Sequence, residues 1–142
     1  MNAYRILKEK RQTEVNSFPM AFAFSDQQFE EGMRSLGLKP TDTDKVYDIG
    51  GGGFIRRTDS AALHEMFERH EKEMKEAIAA DTTGEGFILD MFNYELANHE
   101  YVITYDITDT LEALGLTVDD INNNPLLAKG LELARKAQFD NL

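Results

Sequence analysis

The sequence predicts an α+β fold: a small three- or four-stranded, mostly antiparallel sheet packed with several helices, in a single domain over residues 1–142. Three observations carry that prediction. Helix start and stop signals recur along the chain, and short alternating or β-branched runs stand between them. Hydrophobic residues make up 42% of the chain, enough for one core without disulfide or metal staples.

Taken in order, residues 1–16 set Arg5, Lys8, Lys10 and Arg11 against Glu9 and Glu14, which reads as a short basic helix on an otherwise acidic chain. Phe18-Pro19-Met20-Ala21-Phe22-Ala23-Phe24 then alternates bulky and small side chains, a strand with its aromatics on one face. Pro19 lacks an N–H, so that end is a strand start or a sheet edge. Ser25 and Gln28 make a capping box, Phe24 and Phe29 take the staple positions, and Phe29, Met33 and Leu36 follow at helical spacing. A helix over about residues 26–36 results. Leu36-Gly37-Leu38 ends it, glycine taking the left-handed position and Leu38 folding back on the last turn.

Residues 39–44 read as a loop. Val46-Tyr47-Asp48-Ile49 and Phe54-Ile55-Arg56 flank four glycines and predict a hairpin. The longest helix covers about residues 60–80: Leu63, Met66, Phe67, His70, Met74, Ala77 and Ile78 share one face, and the other is charged. Thr82-Thr83-Gly84 breaks it within a second loop, residues 81–85. Residues 86–98 are apolar almost all round, as a helix inside the core must be. Tyr101-Val102-Ile103-Thr104-Tyr105 is β-branched and aromatic and reads as a strand. A helix capped by Thr108 or Asp109 ends at Leu114-Gly115-Leu116, Thr117 with Asp120 boxes a short helix, and Pro125 starts a last one running to about Gln138.

Composition narrows the chemistry. A net charge of −11 argues against direct nucleic-acid binding, which needs a clustered basic face. It leaves two readings: plain solubility, which is favoured, and a surface that imitates nucleic acid and engages a protein partner with a basic surface. The absence of cysteine removes thiol chemistry and thiolate metal sites, and without an apolar leader or a long apolar run the expected place is the cytoplasm, with no membrane contact.

The run Gly50-Gly51-Gly52-Gly53 stands out, because four glycines cost conformational entropy and pack nothing of their own. One reading is a ligand site for phosphate, with Arg56, Arg57 and His99 in support. Phosphate loops lead from a strand into a helix, whereas this run leads into a second strand, so a hairpin tip or a bed for a close-packed backbone is favoured. His99 with Glu95 one turn earlier could share a helical face, but three histidines without cysteine do not make a metal site by spacing, and His64 and His70 miss the zincin interval. Asp120-Ile121-Asn122-Asn123-Asn124 fails as a calcium loop: Pro125 stands where glycine is required and Leu131 where glutamate belongs. No nucleophile elbow is present, and no acid–base pair can be nominated from local spacing.

Four stretches, Phe18-Pro-Met-Ala-Phe-Ala-Phe-Ser25, Gln28-Phe-Glu-Glu-Gly-Met33, Ile49-Gly-Gly-Gly-Gly-Phe-Ile-Arg56 and Asn98-His-Glu-Tyr101, give the chain its resemblance to a family of small uncharacterised proteins from phages, prophages and mobile elements of Gram-positive bacteria. The resemblance implies an accessory protein acting inside a bacterium on host or element machinery, and it transfers a role to no residue. The expected function is therefore a non-enzymatic protein-binding module, with nucleic-acid mimicry as its sharpest form and no catalytic residue, cofactor or metal. The alternatives are a phosphate-ligand or nucleotide-binding domain centred on Gly50, Gly51, Gly52 and Gly53, and a homo-oligomer paired through the aromatic strand.

Overall fold

In a computed structural model the described residues are 2–140; Met1, Asn141 and Leu142, at the ends of the expected 1–142 domain, lie outside them. The fold is α+β, with eight α-helices and one three-stranded antiparallel sheet among the described residues. The chain divides into two compact units, one formed by Met1–Gln12 with Glu73–Leu142 and the other by Thr13–Lys72.

The second unit holds the sheet. Strands β1 (Ala21–Phe22), β2 (Val46–Gly50) and β3 (Gly53–Arg56) lie in the order β1-β3-β2, so β3 is central and the other two are edges. Pairing Ala21 with Phe54 and Tyr47 with Ile55 fixes which side chains share a face. On one face Ala21, Phe54, Met33 and Leu36 make a buried core beneath helix α2 (Asp26–Ser35). On the other, Ile55 packs with Leu63 and Met66 from the start of helix α3 (Ser60–Ala80), and Val15, Phe18 and Met20 close the cluster. Gly32 lets α2 sit low, since a Cβ there would come within 2.7 Å of the Phe54 ring and 2.9 Å of Ala21 Cβ.

The punctuation works largely as expected. Ser25 Oγ accepts from Gln28 N, while the Gln28 side chain reaches back to Phe24 N rather than to the cap residue itself. Gly37 at φ 76° lets Leu38 N donate to Met33 O, and Gly115 at φ 67° does the same for Leu116 and Leu111. The expected first strand, residues 18–24, pairs only over Ala21–Phe22, against Phe54 and Gly53 at the start of β3.

The first unit is helical. Helix α4 (Phe87–Asn98) buries Ile88, Met91, Phe92 and Leu96 among Tyr101, Leu111, Leu114, Ile121, Leu127, Leu131 and Ala134. Tyr4, from helix α1 (Ala3–Ser17), completes this core. The expected strand 101–105 is overturned: Tyr101–Thr104 is a single helical turn, α5. Tertiary packing overrides the β-propensity of the run. Tyr101 is buried with its hydroxyl accepting from Arg135 Nε, while Glu100 and Tyr105, both at φ 56°, turn the backbone in and out. Helix α6 (Thr108–Leu114) also starts differently from expectation: its cap residue is Ile107, and the Asp106 carboxylate just before it accepts from Thr108 N and Oγ1. The box at α7 (Val118–Asn122) forms as expected, and Asn124 caps α8 (Pro125–Asp140) through Leu126 N and Leu127 N. No helix among the described residues is long and apolar enough to cross a membrane.

Candidate functional site

The glycine run is the β2–β3 turn, and its conformation explains three of its residues at once. Gly50, Gly51 and Gly52 have φ of 86°, 60° and 80°, a left-handed stretch that side chains resist, while Gly50 and Gly51 face open space. Gly52 and Gly53 answer to packing as well. A Cβ on Gly52 would lie 2.7 Å from the Phe24 ring, and one on Gly53 would lie 2.9 Å from the Phe22 ring and 3.0 Å from Ile49. The two phenylalanines of the β1 segment thus rest on backbone where side chains would otherwise stand. Ala23 N holds this segment down by donating to Gly52 O at 2.9 Å.

The bed leaves its load exposed. Phe22 and Phe24 keep 55% and 79% of their surface in solvent. Ile49, Tyr47 and Phe67 continue the strip at 40 to 48% exposure. The last three line a pocket of about 360 Å³ floored by Ile55 and Leu63 and rimmed by Asp48, Ser60 and His64. A second hollow, about 500 Å³, follows the outer side of β1 between Met20, Ala21, Phe22, Phe24 and the α2 residues Gln28, Glu31, Gly32 and Ser35. These five side chains are the large exposed hydrophobics of the sheet unit. The rings of Tyr105 and Phe139, also exposed, differ in that they stack on each other.

Arg56 and Arg57 are not gathered at the glycine turn. Arg56 pairs across the sheet with Val46, at the far end of the hairpin, where its Nε binds Asp59 at 2.7 Å and its Nη1 donates to Leu36 O. The Arg57 guanidinium lies 4.1 Å from the centre of the Tyr47 ring, a cation–π contact on the rim of the apolar strip. His99 belongs to the other unit, its Nδ1 2.8 Å from Glu95 O. Of the six expected site residues in the sheet unit, the structure brings together the four glycines.

Two polar clusters were not visible in the sequence. Glu14 bridges the Arg69 guanidinium and His70 Nε2, and these hydrogen bonds, Arg69 first and His70 second, hold its carboxyl at about 2 against an ordinary 4.5. His70 is buried, as its place on the apolar stripe implied. In the helical unit Glu95 is wholly buried. Its Oε1 takes the Lys8 ammonium at 2.6 Å, and its Oε2 has no hydrogen-bond partner among the described residues. Burial, and then the nearby Glu95 carboxylate, push the Tyr4 hydroxyl well above its usual value. Both clusters join segments more than 50 residues apart, beyond the reach of local spacing.

Neither the curated proteins nor the solved structures contain a match to this chain. A family model does match, over residues 3–137, and by that match the chain belongs to a family of unknown function, DUF7659.

Proposed function

We propose that this chain is a non-enzymatic protein-binding module that docks through the strip Phe24, Phe22, Ile49, Tyr47 and Phe67. The observation that carries the reading is the pair of phenylalanine rings bedded on Gly52 and Gly53, seated against backbone yet mostly in solvent. Large apolar side chains held in place before binding lose little conformational freedom when a partner covers them, which favours affinity. The −11 charge adds long-range steering toward a basic surface, of the kind that nucleic-acid-handling proteins present. In the bacterial, mobile-element setting implied by the sequence resemblance, such a partner belongs to the host or the element and is met in the cytoplasm.

The test uses the full chain and its Phe24→Ser and Phe67→Ser variants as baits in a Gram-positive bacterial lysate at low and high salt. Phe24 is largely exposed and Phe67 about half exposed, so neither replacement empties the buried core. A protein retained by the parent at low salt, released at high salt and lost with both variants supports the reading. Proteins retained equally by parent and variants refute it.

A further inference from the structure

Beside the exposed strip lies an open edge of the sheet. β1 is an edge strand, paired with β3 on one side and with no strand on the other among the described residues. Ala23 N donates to Gly52 O, and antiparallel alternation therefore turns the backbone of Ala21 and Ala23 toward β3 and that of Phe22 away from it. Phe24 N, the next outward donor, is already taken by Gln28 Oε1 at 2.8 Å. The N–H and C=O of Phe22 thus form one outward hydrogen-bonding pair at the mouth of the 500 Å³ hollow.

That hollow has the shape and chemistry of a strand receptor. Its far wall is one stripe of α2, Gln28, Glu31, Gly32 and Ser35, residues at i, i+3, i+4 and i+7. Gly32 brings that wall close to β1, and Ser35 turns its hydroxyl onto Gly32 O, so the wall stays low and smooth. Its single ionisable side chain is Glu31, which is exposed and accepts only from the neutral Gln27 amide at 3.1 Å among the hydrogen bonds it makes here. An extended segment paired with Phe22 alternates its side chains between the Phe22–Phe24 rings and the α2 wall.

We propose that a basic extended segment of a partner protein adds along the outer edge of β1 as a fourth strand, exchanging backbone hydrogen bonds with Phe22 and setting a lysine or arginine against Glu31. This rests on the protein-binding reading above and supplies its mode and partner chemistry. Charge selects this occupant over a second copy of the chain. Pairing β1 with its own copy would bring two Glu31 walls and two chains of −11 together, whereas a basic segment neutralises the carboxylate it meets.

The experiment selects peptides from a random dodecapeptide display library on the immobilised full chain at low salt, then remakes an enriched peptide with N-methyl groups on one alternate set of residues or the other. N-methylation leaves every side chain and charge in place but removes the edge donors. The expected result is an alternating apolar–basic consensus. Methylation of one set lowers its affinity about tenfold while the other set is tolerated, as loss of the Phe22-directed bonds predicts. Glu31→Gln should also weaken binding and flatten its salt dependence. Peptides indifferent to both methylation patterns but lost on Phe24→Ser overturn strand addition and leave the docking strip standing. Peptides that bind Phe24→Ser as well as the parent, or no enrichment at all, overturn both.

Discussion

Asp81 is the most connected carboxylate in the loop between α3 and α4, and replacing it with asparagine tests how that loop is held. Its Oδ1 accepts from Thr83 N and Gly84 N, and its Oδ2 from Gly86 N and Ile88 N, the last being an otherwise unpaired donor in the first turn of α4. Burial pushes the carboxyl upward, but the bonds from Ile88, Thr83 and Gly84 outweigh it and bring it from 3.8 to about 2. At about 1.36 kcal/mol per pH unit that drop is worth at most about 2.5 kcal/mol at neutral pH. Solvent around a carboxylate near the surface reduces it to roughly 1–2 kcal/mol. Because the folded value lies below the unfolded one, the stabilisation is present in full above about pH 4 and falls to about half by pH 3. Asp81→Asn removes one acceptor oxygen and the charge together. Urea unfolding followed by far-ultraviolet circular dichroism, suited to a chain without tryptophan, should show a loss of roughly 1–2 kcal/mol at pH 7 that narrows on acidification toward pH 3. A loss under about 0.3 kcal/mol at pH 7, or one that stays constant down to pH 3, would refute the assignment of this loop's stability to the carboxylate.

Three further outcomes follow from packing and charge. Lys8→Met leaves Glu95 buried without its cation and should destabilise by about 3 kcal/mol, whereas Lys8→Met with Glu95→Leu should recover most of that loss; equal losses in the two would show that the ion pair is not the cause. Gly130→Ala puts a Cβ 2.4 Å from Ile88 Cγ2 and 2.8 Å from Gly84 O, and should cost roughly 1–3 kcal/mol of unfolding free energy, read by the same denaturation assay. Gly52→Ala forces a side chain into a φ of 80° and against the Phe24 ring, and should cost about 1–2 kcal/mol while weakening every interaction of the apolar strip. Gly51→Ala, which meets no neighbour, should cost only the backbone part. Identical behaviour of the two alanines would remove the Phe24 contact from the account.

The residues that end and start helices act within four or five positions of themselves, and for that reason they were legible. Ser25, Gly37, Gly115, Thr117 and Pro125 do in the fold what their local chemistry dictates, as does the apolar stripe that buries His70. The alternation of Phe22 and Phe24 was legible too, but not its purpose. That Gly52 and Gly53 receive those rings depends on a contact across about 30 residues, which no local pattern encodes. Long-range contact also decided the misread elements. Tyr101–Thr104 has the composition of a strand and becomes a helical turn because Tyr101 finds a buried site and Arg135 finds its hydroxyl. Arg56 and Arg57 stand three and four residues from the glycines in sequence but at the opposite end of a hairpin, engaged by Asp59 and Tyr47. By itself, then, the sequence determined the α+β class, most of the helix boundaries and the net negative charge, all properties of short stretches or of bulk composition. Only the tertiary structure decided which edge of the sheet is open and which aromatics stay in solvent, because both depend on the segments that happen to pack against them.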